Sequence, residues 1–306
     1  MEKPSYSIED LYKEINTING YFGEGDGGYG GTVEYSYGQI HDYCDYRDNP
    51  GKYKCLNYLE MASSGVIYVL EKLKDMKGLE YDKLAEYAIL WLRYKLNQKA
   101  PFNNTKLNDF YTNHIKKNRY YNNKIKDNDN DSLTYKEIID TKKELMDFKE
   151  MTKFSYPFKL LLLLYDKNNK KSGNCDHLDN AKKFADEFDK LNKDSNHIEN
   201  SSYNKILSII SNDYVNLKKK CDNFPSLPEL TPQQIPVQPT ALNPEATSSS
   251  SSISTTLIPA LSIVSVIPVF LGISYKYSLF GIDKLFQRQY LRTKLKNVKK
   301  KMKLNI

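Results

Sequence analysis

The chain has 306 residues, 40% hydrophobic and 12% aromatic, with 25 tyrosines, which carries one sizeable folded domain and excludes a wholly disordered protein. Its formal charge of +7 is unevenly placed: residues 276–306 hold ten Lys or Arg against Asp283, a net +9, so residues 1–275 sum to −2. The body is therefore mildly acidic, and no nucleic-acid partner is expected of it. The opening MEKPSYSIEDLYKEIN has no apolar core of signal-peptide length. A short helix is expected over Ser7–Asn16, within a residue 1–35 segment that reads as flexible. GYFGEGDGGYGG at 20–31 reads as a glycine-rich loop. Its Gly23-x-Gly25-x-x-Gly28 matches a dinucleotide fingerprint in form only, because that motif needs a strand before it and a helix opening on it.

From about residue 56 the period is helical. Leu84, Tyr87, Ala88, Trp91 and Tyr94 give Asp82–Gln98 one apolar face, and Pro101 follows its end. Thr134 and Glu137 have the spacing of a capping box, with Ile138, Thr141, Leu145 and Phe148 behind it. Ser155 and Pro157 open FKLLLLLYD, where Leu160–Leu164 is apolar all round and is predicted to lie at the core's centre. Leu178, Ala181, Ala185, Phe188 and Leu191 form another face. Tyr203, Ile206, Leu207, Ile210, Tyr214 and Leu217 form the last. Strand-like alternation is scarce, so residues 36–223 read as an all-α domain of about six to eight helices. Trp91, Leu160–Leu164, Ile206 and Ile210 are its expected core.

Four cysteines, Cys44, Cys55, Cys175 and Cys221, precede residue 255. An even number on one side fits two disulfides with three connectivities, Cys44–Cys55 with Cys175–Cys221 being the simplest; four reduced thiols in a cytosolic body is the alternative. Other chemistry is not signalled. Asp127-x-Asp129-x-Asp131 starts like a calcium loop but has Ser132 and Ile138 where Gly and Glu are required. His41 beside Cys44 and Cys175 beside His177 lack zinc-module spacing, and His114 and His197 stand apart. No nucleophile elbow, Walker loop or HExxH is present, so neither enzyme nor cofactor nor metal is expected. Asn103, Asn130 and Asn200 begin formal glycosylation acceptors that read as chance in so Asn-rich a chain.

Six of the twelve prolines lie between Pro225 and Pro244, and Ser248–Ser252 is a serine run, so residues 224–254 read as a stalk. Thr255–Tyr275 follows, 21 residues without a charge. Its most apolar part, Leu257–Tyr275, would span about 28 Å as a helix, close to a bilayer's hydrocarbon core. Residues 276–306 form a basic tail whose Phe280, Leu285, Phe286 and Leu291 suit a helix lying on anionic inner-leaflet lipid. Lys and Arg are enriched on cytoplasmic flanks, which places the tail inside and the body outside. A tail-anchored adaptor with a cytosolic body is the competing topology and leaves the basic tail on the wrong side.

Several stretches resemble the Plasmodium interspersed repeat (PIR) proteins of rodent malaria parasites. They are EYAILWLRYKLNQ (86–98), FYTNHI (110–115), NCDHLDNAKKFADEFDKLNK (174–193), YNKILSIISNDYVNLKKKC (203–221) and the Tyr43-Cys44 pair. The serine run, the span and LGISYKYSLFGIDKLFQRQYLRTKLKNVKKKMK from Leu271 resemble the family's C-terminal signature. The resemblance covers about residues 40–306. The first 35 residues depart from the family's opening, which carries a further cysteine, and Ile282-Asp283-Lys284 is less basic than the family's tail. The resemblance implies a helical ectodomain on a single-span anchor, exported toward the infected erythrocyte or its surface. It implies roles in antigenic variation, immune evasion or host interaction, with a host protein or antibody as partner. The expected presenting loops are 20–35 and 118–132.

Overall fold

The computed structural model describes residues 6–27, 31–46, 54–126, 131–166 and 175–233, all within one unit, Met1–Gln238. Eight α-helices are present among these residues: α1 (Ile8–Asn19), α2 (Tyr58–Leu73), α3 (Tyr81–Asn97), α4 (Leu107–Phe110), α5 (Tyr135–Asp140), α6 (Ser155–Leu164), α7 (Leu178–Asn192) and α8 (Ser202–Lys218). One antiparallel hairpin, β1 (Phe22–Asp26) and β2 (Thr32–Ser36), joins them. The stalk beyond residue 233, the span at 255–275 and the tail lie outside the described residues. Among the described residues no helix is long and apolar enough to cross a membrane.

The centre of the fold is the α2–α3 pair, which packs along its length. α2 starts at a reciprocal cap: the Asn57 side chain accepts from the Glu60 amide at 2.9 Å, and the Glu60 carboxylate accepts from the Leu56 amide at 2.7 Å. Gly78, at φ 83°, turns the chain into α3. Sequence periodicity predicts one apolar face on α3, yet every residue from Leu84 to Leu96 is buried. The reason is that neighbours cover it on several sides: α2, α5, α6 and the turn at Lys149–Phe154 all pack against it. Gly65 of α2 permits the closest approach, since a Cβ there would stand 2.1 Å from the Trp91 ring. Leu160–Leu164 is buried apart from half-buried Leu163, and α6 packs against α1, α3, α7 and α8.

Three expectations are corrected. The first concerns the expected flexible segment 1–35, of which Ile8–Phe22 is built into the core while the described part of 31–35 is exposed. Ser7 caps α1, and Leu11, Tyr12, Ile15, Ile18 and Phe22 are fully buried. Lys95 of α3, itself 1% exposed, donates to the Asn19 carbonyl at 3.1 Å and the Phe22 carbonyl at 2.7 Å, with its ammonium 4.2 Å from the Phe22 ring. Burial lowers its pKa to about 7. The domain therefore begins well before residue 36, and the fold is mostly helical with a hairpin rather than purely α.

The second correction concerns the helix after the capping box. The box at Thr134 and Glu137 is present, but α5 stops at Asp140. The Thr141 hydroxyl bonds back to the Ile138 carbonyl at 2.7 Å, and the chain tightens into short turns at Lys143–Leu145 and Lys149–Phe154. Third, the stalk does not begin at residue 224. Phe224 is buried, the Tyr214 hydroxyl donates to the Pro225 carbonyl at 2.9 Å, and the Asn192 side chain holds the Glu229 carbonyl at 2.7 Å and the Thr231 amide at 3.1 Å. Gln233 then pairs with His197 and Glu199 through backbone bonds.

A buried carboxylate joins four helices. Asp213 of α8 is 2% exposed and accepts from Tyr12 of α1 at 2.7 Å and Tyr87 of α3 at 2.9 Å. Tyr165, at the end of α6, donates to its backbone carbonyl at 2.6 Å and stacks on Tyr12 with ring centroids 4.5 Å apart. Burial raises the Asp213 pKa to about 7; the two hydroxyls and Lys83 oppose that rise.

Candidate recognition surface

The cysteines pair locally: Cys44 with Cys55 and Cys175 with Cys221, each with Cα atoms 5.3 Å apart. The first bridge anchors one face of the protein. Its Cys55 amide donates to His41 Nδ1 at 3.2 Å, leaving Nε2 to donate to the Ser36 hydroxyl at 3.4 Å. Burial, with nearby Lys54, lowers the His41 pKa, which suits a neutral ring accepting from an amide. His41 thus ties the end of β2 to the disulfide.

The hairpin itself is shaped by its glycines. Gly23 pairs with Tyr35 and Gly25 with Val33. The Tyr35 ring lies over β1, and a Cβ on Gly23 would meet its hydroxyl at 3.0 Å. Lys99, just beyond α3, pins both strands through ion pairs to Glu24 at 3.5 Å and to Glu34. A helix precedes Gly23 and a strand follows, so this glycine segment is a hairpin and lacks the strand–turn–helix setting of a dinucleotide site.

The second expected loop lies against the same node. Asn118, 1% exposed, donates to the Tyr43 carbonyl at 2.6 Å and accepts from the Asp45 amide at 3.3 Å. The Arg119 amide donates to the Asp45 carbonyl at 3.0 Å. The Tyr43 ring packs edge-on against Tyr68 and Tyr120, at 4.7 and 5.5 Å. Burial pushes the Tyr43 hydroxyl up to about 12. Residues 118–126 are not a free loop, since Tyr121 and Ile125 are buried and Lys124 bridges to Thr134. Residues 127–130, with most of the failed calcium motif and Asn130, lie outside the described residues.

The structure therefore joins the two loops through residues 37–46 and the Cys44–Cys55 bridge. Every residue of β2 is exposed. Val33 is 55%, Tyr35 38%, Tyr37 59% and Leu56 64% exposed, and among the described residues only Tyr156 is a further exposed large hydrophobic. Tyr35 and Tyr37 are ring neighbours at 5.9 Å. Exposed tyrosines are enriched among interface anchors. Sequence reasoning missed Tyr37 and Leu56; an unpaired aromatic just past a strand and a leucine beside a disulfide cysteine were the available signals.

The remaining sequence candidates are structural. His197 is fully buried between the Asn192 carbonyl and the Asn204 side chain, both at 3.0 Å. His114 packs on Phe110 and Tyr46. Asn200 occupies a positive-φ turn (61°) before α8, and the Asn103 carbonyl accepts from Arg93. No group of His, Cys, Asp and Glu among the described residues is arranged to hold a metal ion.

A family model described as Plasmodium variant antigen protein Cir/Yir/Bir matches residues 12–276. The match extends the resemblance toward the N-terminus, from about residue 40 to residue 12, and ends at residue 276 rather than 306. A solved structure of a Plasmodium PIR protein ectodomain is similar at 34% identity and a TM-score of 0.52, over 72% of this chain and 99% of that one. No curated protein matches. A match of that extent, over a helical unit whose N-terminal hairpin and two disulfides are integral to it, places this chain in the Plasmodium Cir/Yir/Bir variant antigen family.

Proposed function

We propose that the protein is a non-enzymatic, single-pass membrane variant antigen that presents the face built on β2, residues 37–46 and Leu56 to host proteins or antibodies. The carrying observation is the concentration of exposed Val33, Tyr35, Tyr37 and Leu56 on a platform fixed by the Cys44–Cys55 bridge. Rigid anchors lose little entropy on binding, which favours a preorganised face. The uncharged Thr255–Tyr275 stretch supplies the anchor to the lipid bilayer, and the basic 276–306 tail lies inside, against anionic inner-leaflet lipid. Residues 234–254 act as the stalk. Two disulfides favour an oxidising compartment for the body over the cytosolic body of a tail-anchored adaptor. The setting is export toward the infected erythrocyte or its surface.

The test is a triple substitution, Val33→Thr, Tyr37→Ser and Leu56→Ser, in the full chain. Recognition by sera from infected hosts and binding to host-cell surfaces are measured beside far-UV circular dichroism. Loss of recognition with an unchanged spectrum is expected. Unaltered recognition by both readouts would move the functional face elsewhere.

A further inference from the structure

A cleft of about 430 Å³ lies between the turn after α3, α4 and the Met146–Thr152 segment, and Arg93 lines it. Arg93 is 2% exposed. Its Nη1 donates to the Thr105 carbonyl at 2.7 Å and its Nη2 to the Asn103 carbonyl at 2.9 Å. Its Nε has no partner among the described residues, nor does any carboxylate among them pair with the guanidinium. A guanidinium carries five donors and stays charged at neutral pH, so a buried cation with open donors lies beside this cavity without a counter-ion.

The other charges of the cleft are at its exposed rim. Lys106 and Lys149 are balanced by Asp109 and Asp147, leaving Arg93 to set a net charge of +1. Met146, Phe148 and Met151 supply an apolar wall. The volume falls in the range of small-molecule sites, and one charge with an apolar wall calls for a monoanion with an apolar body. We propose that this cleft binds a small organic carboxylate, its carboxylate directed to Arg93 and its body against Phe148 and Met151. This site is separate from the recognition face.

The test uses the purified full chain in a mild detergent, with hippurate as probe and its uncharged amide, hippuramide, as control, read by ligand-observed NMR. Saturable hippurate binding is expected, at least tenfold tighter than hippuramide. Arg93→Lys, which keeps the charge and removes the planar fork, should weaken it by a similar factor. Thr152→Trp fills the cleft from its exposed side without touching Arg93, and should abolish binding even where Arg93→Lys fails to fold. No saturable binding, equal binding of acid and amide, or hippurate binding unchanged in Thr152→Trp would each overturn the proposal.

Discussion

Gly65→Ala tests the packing of α2 on α3 at its tightest point. Alanine is the better helix former by about 1 kcal/mol, so on local grounds the change stabilises α2. The added Cβ, however, would fall 2.1 Å from one Trp91 ring atom and 2.9 Å from another, where contacts under 3.0 Å force a shift. Trp91 is fully buried and packs edge-on against Phe22 at 6.4 Å, so the indole has no free side to move into. Overpacking of this kind costs about 3 kcal/mol at the upper end of its usual range. The net expectation is a loss of about 2 kcal/mol in urea unfolding of the full chain, followed by circular dichroism. Trp91 is the single tryptophan, so its emission reports the same contact. Trp91→Phe trims the clashing ring, and the double mutant should be less destabilised than the sum of the singles by at least about 1 kcal/mol. A stabilised Gly65→Ala protein, or additivity within about 0.5 kcal/mol, would refute the close approach.

Asp213 gives a pH signature. Its folded pKa of about 7 lies above the ordinary carboxylate value, so between about pH 4 and 7 the folded state binds more protons than the unfolded. Its contribution to stability is complete below that window and is lost as pH rises through 7; Asp213→Asn should flatten this part of a stability–pH profile, and an unchanged slope would remove Asp213 as its source. The two disulfides should differ in worth. In the chain-entropy model, a loop with a sequence separation of 11 (Cys44–Cys55) gives about 3 kcal/mol and one of 46 (Cys175–Cys221) about 4 kcal/mol. Cys175→Ser with Cys221→Ser should therefore lower the urea midpoint more than the Cys44/Cys55 pair of serine substitutions does, and the reverse order would contradict this ranking.

Much of the helical frame was legible because it depends on local period. The face of α8, the Thr134 capping box and the burial of Trp91 follow from three- and four-residue spacing, as does part of the α7 face, where the buried Phe184 was missed and Leu178 and Ala185 are only half-buried. What was illegible depends on distant partners. Nothing near Gly23 says that Lys95 and Lys99 will hold the hairpin to α3, and nothing near Pro225 says that Asn192 will fix the chain through Thr231. Asp213 left a faint trace, an acid three residues after Ile210 on an apolar stripe, but its tyrosine partners lie on other helices. The proposed recognition face was half legible. Its loops were marked by composition, while their junction through His41 and Asn118 is a tertiary fact.

The most direct test of the central claim is topology: mild protease treatment of intact infected cells, read with a tag after Ile306 and an antibody to residues 6–233. Cleavage of the body with survival of the tagged tail fragment is the predicted result. A body protected until the host membrane is permeabilised would contradict the host-facing account.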